Sequence, residues 1–329
     1  MAWKVLGVGS PLTDLLLDVD DAFLEARVSG AKGGMEMVDP ETISALLESS
    51  GTAPRKVPGG SAGNTLFALA KMGVPCAMLG KLGADPAGDF YRAEFRHNGG
   101  DDSFFVVTRD APTGTCLSLV TPDAERTMRS ALGASLQLTC DEVRSKDYSS
   151  FDLVFIEGYM LFSSVFDALL DSVRAAGCRI GFDLASFEVA GLFREKLLNT
   201  VLPDYVDLLF ANEEEAAALL GGDDDPAVMA EKLNSMCETV VVKSGVRGSV
   251  IRRGNETVKV PAFVVPDPVD TTAAGDLYAA GFLRGLAAGA PLDRCGRLGA
   301  RTSAEVVKVF GSVLSEESWE KVFEEMKGL

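Results

Sequence analysis

The chain has 329 residues, with 31 Lys and Arg against 48 Asp and Glu, which gives a formal net charge of −17. This acidity disfavours a general nucleic-acid binder or an anchor to an anionic membrane, because both depend on basic side chains meeting phosphates. The single histidine, His97, excludes a histidine-rich metal site and disfavours a histidine-based catalytic triad. An apolar fraction of 47% supports one large α/β domain with an appendage, or two small domains.

The cysteines are scattered, and none forms a Cys-x-x-Cys pair: Cys76, Cys116, Cys140, Cys178, Cys237 and Cys295. This pattern favours reduced, mostly buried thiols. The first residues lack a basic segment followed by an apolar one, and no run of about 18 apolar residues occurs. We therefore expect a cytoplasmic protein without a membrane-spanning segment.

The first 135 residues predict short strands among Gly- and Pro-rich turns. The predicted strands are 4–9, 15–19, 104–108 and 116–121. A helix is predicted from Pro40 to Ser49, where Asp39 is a good cap and Pro40 a good first position. Short strands within an α/β chain predict a small β-rich subdomain, which we expect residues 12–57 and 101–132 to form.

From about residue 139 onward, short apolar runs alternate with amphipathic segments. The predicted strands are 152–157, 178–183, 206–211, 239–243 and 249–252, and the predicted helices are 165–176, 213–220, 275–288 and 298–310. Alternating strands and helices indicate βαβ units and hence a parallel, doubly wound sheet.

A first candidate site is the segment Gly59-Gly60-Ser61-Ala62-Gly63-Asn64, which leads into an apolar helical stretch. Glycines without Cβ let a ligand approach the backbone, and Asn64 in the first helical turn offers both a donor and an acceptor. This arrangement suits a ligand with vicinal hydroxyls. The alternative interpretation is an ordinary helix start with flexible glycines and Ser61 as the cap.

A second candidate is Asp270-Thr271-Thr272-Ala273-Ala274-Gly275-Asp276, where small residues precede an amphipathic helix. Backbone N–H groups of Ala273 to Asp276 and the helix dipole form an anion site that suits a phosphate in transfer. Asp276 beside it could accept a proton from an attacking hydroxyl. Asp276 could instead only complement the helix dipole, but that leaves the lack of bulk before it unexplained.

Two weaker motifs follow predicted strands. Asn212 and Glu215 share a face at a helix start and could hold waters of a Mg²⁺ ion, or could only complement the dipole. The segment 242–249 ends a strand in a glycine turn, which a β-hairpin explains equally well. Asp14 follows the first strand and could accept hydrogen bonds from sugar hydroxyls if it lies near Gly60 and Asn64.

Two nucleotide-binding motifs are excluded. Gly7-Val8-Gly9 follows a strand, but the third glycine of a dinucleotide fingerprint is missing and Pro11 interrupts the helix. The chain also has no Gly-x-x-x-x-Gly-Lys-[Ser/Thr] segment, so it is not a P-loop enzyme.

The two glycine-rich motifs, in this order and about 200 residues apart, resemble those of the ribokinase-like (PfkB) family of sugar and nucleoside kinases. Asn212-x-x-Glu215 and Lys243-x-Gly245-x-x-Gly248 match two further motifs of that family, and the resemblance covers nearly the whole chain. It implies a single domain over 1–329, with a Rossmann-like α/β part and a small β-rich lid. It also implies an ATP-dependent phosphotransferase that uses Mg²⁺.

The resemblance implies a role for each matching residue. Asp276 would deprotonate the acceptor hydroxyl, and Ala273, Ala274 and Gly275 would hold the transferred phosphate. The residues implied for the acceptor are Asp14, Ser10, Gly59, Gly60 and Asn64. Those implied for ATP are Asn212, Lys243, Ser244, Gly245, Gly248, Ala300, Ser303 and Val307. Glu215 would organise Mg²⁺ through water, while Asp270 and Thr272 resemble monovalent-cation ligands and suggest activation by K⁺.

The acceptor is indicated by further similarity. Gly114-Thr115, the segment 121–128, the segment 132–135 and Glu157-Gly158-Tyr159 are similar to bacterial proteins classed as adenosine kinases. Ser10 departs from that pattern, because those enzymes often have Asn there, and Ala273 stands where many family members have Gly. We expect adenosine as the acceptor, with a free sugar such as ribose or fructose as the alternative.

Two other classes of function are alternatives to a kinase. One is a non-catalytic nucleoside- or sugar-binding regulator, which the retention of Asp276 beside an intact small-residue run disfavours. The other is a nicotinamide-dependent oxidoreductase, which only Gly7-x-Gly9 suggests. We expect a small-molecule substrate, no nucleic-acid partner and a monomer or homodimer.

Overall fold

A computed structural model of the chain describes residues 3–123, 125–222 and 225–329. Its strands are β1 (Val5–Val8), β2 (Leu12–Asp18), β3 (Met35–Met37), β4 (Arg55–Gly59), β5 (Cys76–Leu79), β6 (Lys81–Gly83), β7 (Val106–Thr108), β8 (Gly114–Val120), β9 (Arg126–Ala131), β10 (Leu153–Glu157), β11 (Arg179–Asp183), β12 (Leu208–Asn212), β13 (Thr239–Lys243), β14 (Ser249–Arg253) and β15 (Glu256–Val260). Its α-helices are α1 (Asp21–Arg27), α2 (Pro40–Ser50), α3 (Ser61–Lys71), α4 (Pro86–His97), α5 (Cys140–Arg144), α6 (Phe166–Ala175), α7 (Phe187–Leu192), α8 (Arg194–Lys196), α9 (Leu202–Asp204), α10 (Glu213–Leu220), α11 (Pro226–Asn234), α12 (Ala274–Ala287), α13 (Leu292–Val306) and α14 (Glu316–Met326).

The large sheet has eight strands in the order β15-β14-β13-β12-β11-β10-β1-β5. The six strands from β13 to β5 are parallel, while β14 and β15 are antiparallel additions at one edge. The predicted α/β class with a doubly wound sheet is therefore confirmed.

Both faces of the large sheet are buried, as the apolar runs of its strands require. In β10, Val154 and Ile156 pack into the core beneath α6, α7, α10 and α11. Leu153 and Phe155, on the alternate positions, pack into a second core beneath α3, α12 and α13. Because helices cover both faces of the sheet, polar side chains that bind a ligand are expected at the carboxyl ends of the parallel strands.

A second, small sheet has five strands in the order β3-β9-β8-β2-β4. Its outer face packs Leu15, Leu17 and Leu117 against side chains of α1 and α2. On the inner face, Asp14 is the register partner of Cys116, and Met128 is the partner of Ser118. Because side chains alternate along a strand, this inner face also carries Leu12 and Arg126.

The helix α2 forms where its sequence predicts. The Asp39 side chain accepts a hydrogen bond from the Thr42 backbone N–H (2.7 Å), Pro40 occupies the first turn, and Gly51 ends the helix at a φ of 64°. An acidic cap and a left-handed glycine satisfy the free backbone groups at the two ends.

Two predicted elements are wrong in position. The expected strand 104–108 is shortened to β7, which pairs with β6 in a separate two-stranded sheet instead of joining the small sheet. Its first residue, Phe104, ends a 3-10 turn that begins at Asp102. The expected helix 298–310 is α13, which begins at Leu292 directly after Pro291 and ends at Val306. The apolar pattern misplaced it because its first turn is largely polar.

The small sheet also contains strands that the sequence did not predict. β3, β4 and β9 lie outside the strands predicted from the sequence, and β9 follows a turn after β8. Among the described residues, no helix combines the length and the apolar character that crossing a membrane requires.

Candidate functional site

A cavity of about 570 Å³ lies between the carboxyl edge of the large sheet and the inner face of the small sheet. The sequence-predicted residues that line it are Asp14, Gly60, Asn64, Asn212, Glu215, Lys243, Gly245, Gly248, Thr272, Ala274, Gly275, Asp276, Ala300, Ser303 and Val307. The predicted residues outside its lining are Ser10, Gly59, Ser244, Asp270 and Ala273. One cavity thus collects residues from segments far apart in the sequence.

Asp276 lies in the first turn of α12, where two side chains of α3 hold its carboxylate. Ser61 Oγ donates to Asp276 Oδ1 (2.7 Å) and Asn64 Nδ2 donates to Asp276 Oδ2 (2.8 Å). Burial raises the pKa of Asp276 to about 7, against the effect of these hydrogen bonds and of Lys243. A carboxylate that only complemented the helix dipole would not need two donors from another helix. A carboxylate with this pKa can take up a proton near neutral pH.

The start of α3 depends on glycine. Gly60 is the residue before the helix and has a φ of 86°, and a Cβ there would lie 2.2 Å from the Ser10 carbonyl oxygen. No side chain caps this helix, so the alternative interpretation with Ser61 as the cap is wrong. Asn64 Oδ1 is buried without a hydrogen-bond partner in the described structure, which leaves an acceptor for a bound hydroxyl.

Asp14 extends from β2 into the cavity beside the backbone of β4. A Cβ on Gly59 would lie 2.4 Å from the Asp14 carboxylate, so Gly59 leaves the space that this carboxylate occupies. Gly59 itself does not line the cavity. Burial raises the pKa of Asp14 to about 7, Arg126 lowers it, and Asp270 raises it. The hydrogen bonds among the described residues include none to this carboxylate, so both of its oxygens can accept from a ligand.

Glu157, at the end of β10, fixes the loop between β1 and β2. Its carboxylate accepts from the Ser10 backbone N–H (2.9 Å) and from the Ala62 backbone N–H (2.8 Å). Burial raises its pKa to about 7, while these bonds oppose the shift. Ser10 is thereby held beneath the cavity instead of lining it. The sequence placed Glu157 at the end of a predicted strand but did not reveal that its carboxylate bonds to two separate segments.

The first turn of α12 presents free backbone N–H groups. The Ala274 N–H donates to the Thr271 carbonyl (3.1 Å), but within the described structure those of Gly275 and Asp276 have no acceptor. A Cβ on Gly275 would lie 3.0 Å from Lys243 Nζ, so an ammonium group borders this turn. Free N–H groups, the helix dipole and a cation together form an anion pocket. Ala273 packs into the core behind it.

Lys243 lies between two acidic side chains at the carboxyl edge of the large sheet. Lys243 Nζ donates to Asp183 Oδ2 (3.1 Å). Burial lowers the pKa of Lys243, but Asp183 and Glu215 reverse this effect and raise it above its ordinary value. Asp183 was missed by the sequence reasoning, although its place at the end of β11 gave the same signal as Asn212 at the end of β12.

Glu215 and Asn212 form a reciprocal capping box at the start of α10. Asn212 Nδ2 donates to Glu215 Oε1 (2.9 Å), and the Asn212 backbone N–H donates to Glu215 Oε2 (2.7 Å). Burial raises the pKa of Glu215 to about 7, and Lys243 opposes this shift. The part of the chain that the structure describes contains no group of three or more His, Cys, Asp or Glu able to hold a metal.

The oxygens of Glu215 fit a water-mediated contact with Mg²⁺ better than direct ligation. Each oxygen accepts one hydrogen bond from Asn212 and keeps a lone pair for the water of a hydrated ion. Mg²⁺ releases its waters reluctantly and is commonly held by one or two carboxylates together with phosphates.

The far end of the cavity has a glycine turn and an apolar wall. β13 and β14 form an antiparallel hairpin, so the hairpin interpretation of 242–249 describes the backbone correctly. Gly248 has a φ of 92°, and a Cβ there would lie 2.0 Å from the Val260 carbonyl oxygen. Ser244 Oγ is buried without a partner among the described residues. The wall is lined by Ala262, Phe263, Val264, Ala300, Ser303, Ala304 and Val307.

Asp270 and Thr272, which the sequence suggested as ligands of a monovalent cation, are hydrogen-bonded to each other and to Arg126. Asp270 Oδ1 accepts from the Thr272 N–H (3.0 Å) and the Thr272 hydroxyl (2.6 Å). Asp270 Oδ2 accepts from the Gly311 N–H (2.9 Å) and from Arg126 Nη1. Burial raises the pKa of Asp270, but these donors bring it below its ordinary value. Together these four donors use the acceptor directions of the Asp270 carboxylate.

Comparison with solved structures supports the same fold. The chain is 30% identical to the adenosine kinase from Sinorhizobium meliloti, with a TM-score of 0.84 and complete coverage of both chains. It is 29% identical to a probable sugar kinase from Rhizobium etli, with a TM-score of 0.85 and coverage of 98% and 99% of the two chains.

A curated relative covers a similar extent. The adenosine kinase of Dictyostelium discoideum is 27% identical over 332 aligned positions, which cover 94% of this chain and 96% of the relative. The family model of the pfkB family carbohydrate kinases matches residues 41–319. The chain therefore belongs to the pfkB family of carbohydrate kinases.

Proposed function

We propose that this kinase transfers the γ-phosphate of ATP to the primary 5′-hydroxyl of adenosine. Kinases of this family use ATP with Mg²⁺. The observation that carries the proposal is the position of Asp276, between the anion pocket of α12 and the free acceptors Asp14 and Asn64. A base, a phosphate-binding turn and a hydroxyl-binding pair in one cavity are the parts that phosphoryl transfer to an alcohol requires.

The roles of the acceptor-side residues follow from their hydrogen-bonding capacity. Asp14, which has two unused acceptor oxygens, takes hydrogen bonds from the ribose hydroxyls. Asn64 Oδ1 accepts another, since its amide nitrogen is already engaged by Asp276. Gly60 and the bare backbone around it allow the sugar to lie close to α3. The 5′-hydroxyl then replaces the Ser61 hydroxyl at Asp276 Oδ1 and loses its proton to that oxygen.

On the phosphate side, the N–H groups of Gly275 and Asp276 and the ammonium of Lys243 take up the charge of the transferred group. These donors are fixed before the reaction, so they need little reorganisation when charge develops. Mg²⁺, held through water by Glu215 and by Asn212, would neutralise charge shared between the phosphates. Ser244, Gly245 and Gly248 run along the nucleotide, and Ala300, Ser303 and Val307 flank its adenine.

The inner face of the small sheet favours a nucleoside over a free sugar. Leu12, Cys116 and Met128 lie on this face together with Asp14 and line the cavity, and Tyr159, which follows β10, lines it too. Such an apolar surface suits a purine base, which binds by area and stacking, whereas a free ribose would leave it uncovered. The adenosine kinase from Sinorhizobium meliloti and that of Dictyostelium discoideum support this choice.

We further propose that the small sheet acts as the lid of the site. The lid would consist of the sheet strands within 12–59 and 114–131, instead of the expected 12–57 and 101–132. Its closure over the nucleoside would exclude water, which would otherwise compete with the 5′-hydroxyl as acceptor.

The test is a coupled ADP-release assay with adenosine, inosine, guanosine, ribose and fructose. We expect adenosine to give the highest kcat/KM. Met128→Ala should raise the KM for adenosine about tenfold, because it removes from the base-binding face an apolar, cavity-lining side chain worth about 1.5 kcal/mol when the base covers it. Met37→Ala is the matched control, since Met37 is 54% exposed and does not line the cavity. Ribose or fructose as the best substrate would refute the nucleoside assignment.

A further inference from the structure

The loop before α12 contains a buried ion pair that the proposed reaction does not use. Arg126 and Asp270 lie 144 positions apart in the chain, yet their side chains are only 9% and 4% exposed and form a salt bridge. Arg126 Nη1 also donates to Thr272 Oγ1 (3.2 Å), and Arg126 Nη2 donates to Ser118 Oγ (2.8 Å). The guanidinium therefore contacts both residues that resembled cation ligands.

The ion pair is an integral part of the fold. Arg126 extends from β9, on the inner face of the small sheet, and Asp270 stands four positions before α12 begins. Asp270 is further held by the Gly311 N–H (2.9 Å), which comes from the segment after α13. A carboxylate as buried as this one is destabilising unless a positive charge lies next to it.

We infer that Arg126 takes the place of a monovalent cation in this kinase, which therefore neither needs nor binds K⁺ beside its anion pocket. The argument is electrostatic and geometric. The guanidinium supplies one positive charge at Asp270, and a second cation at the same carboxylate would be repelled by it. The oxygens of Asp270 are saturated, and the Thr272 hydroxyl donates to Asp270 while it accepts from Arg126.

The positive charge next to Asp270 belongs to a side chain of the small sheet, whereas K⁺ would be a diffusible ion. A guanidinium on β9 reaches Asp270 only when the small sheet stands against the loop before α12. The inference rests on the proposed function, because it concerns the same cavity. Cation binding, however, is measured without catalytic turnover. Its failure and the failure of the proposed function are therefore distinguishable.

The test compares chloride salts of K⁺ and tetramethylammonium at equal ionic strength. For the wild type, we expect the melting temperature to agree in the two salts and the kcat to differ by less than about twofold. Isothermal titration with Tl⁺ as a K⁺ substitute should show no binding. A wild type stabilised by K⁺ by about 2 °C or more, or a measurable Tl⁺ site, would overturn the inference.

The informative variant is Arg126→Met, which keeps the length of the side chain and removes its charge. It leaves the Asp270 carboxylate without a counterion, so K⁺ should raise the melting temperature of the variant by about 2 °C or more relative to tetramethylammonium. Arg92→Met is the control, because Arg92 lies on α4, pairs with Asp102 and does not line the cavity. Equal melting temperatures of Arg126→Met in the two salts would contradict the inference. If that variant does not fold, the wild-type titration decides alone.

Discussion

The hydroxyl of Ser61 provides a quantitative test of the role of Asp276. Ser61 Oγ donates to Asp276 Oδ1 (2.7 Å), and this bond favours the ionised form of a carboxylate whose pKa burial has raised to about 7. A hydrogen bond to a charged group contributes about 1.5–3 kcal/mol, and one pKa unit corresponds to about 1.4 kcal/mol. Ser61→Ala should therefore raise the pKa of Asp276 by about one to two units.

The assay is the pH dependence of kcat/KM for the acceptor, which reports groups of the free enzyme. At pH 7 about half of the wild-type Asp276 is ionised, and the variant should retain about a tenth to a hundredth. We expect kcat/KM of Ser61→Ala to be about five- to fiftyfold lower at pH 7 and to recover by about pH 10. Thr65→Val is the matched control, because Thr65 Oγ1 donates to the Asp276 backbone oxygen (3.1 Å) and not to its carboxylate.

Two results would refute this reasoning. One is an acid limb of Ser61→Ala at the same pH as that of the wild type. The other is a wild-type enzyme that keeps full kcat/KM down to pH 5, where a base with a pKa of about 7 would be almost entirely protonated. Asp14 titrates in the same range, so the acid limb of the wild type should be steeper than that of a single group.

Four further substitutions test single parts of the site. Asp276→Asn should lower kcat by a factor of about 10² to 10⁴, while calorimetry still detects adenosine binding. Turnover close to that of the wild type would show that Asp276 is not the catalytic base. Because the pKa of Asp14 is raised in the folded state, ionisation of this carboxyl lowers the stability of the protein as pH rises from about 4 to 7. Asp14→Asn should therefore raise the free energy of unfolding at pH 8 by up to about 4 kcal/mol and leave it unchanged at pH 4. Urea unfolding at the two pH values measures both. Gly60→Ala places a Cβ 2.2 Å from the Ser10 carbonyl oxygen and should raise the acceptor KM without changing that of ATP in steady-state kinetics. Lys243→Met should reduce kcat/KM for ATP by a factor of about 10². An unchanged kcat/KM would show that Lys243 does not contribute to the anion pocket.

The sequence predicts those parts of the site that rest on local structure. The capping pair Asp39 and Pro40, the glycine before α3 and the small residues before α12 each determine a helix start within a few residues, and these starts are where the structure has them. Alternation of strands and helices predicts the doubly wound sheet, and thus the edge at which polar side chains gather.

Contacts between distant segments could not be predicted in this way. Asp276 and Ser61 lie 215 positions apart, and only the packing of α12 against α3 brings them together. The small sheet is a similar case, because β3 has only three residues and β4 contains a proline and a glycine. Both become strands by pairing with β9 and β2. The partner of Asp270 was likewise hidden, since nothing in a single sequence marks Arg126 as its counterion.

The most direct test of the central claim is ADP release with the acceptor panel, using the wild type and Asp276→Asn side by side. The proposed function predicts adenosine-dependent ADP release by the wild type and its near-complete loss in Asp276→Asn, with adenosine still bound. Binding of adenosine by the wild type without turnover on any of the acceptors would contradict it and would favour a non-catalytic nucleoside-binding regulator.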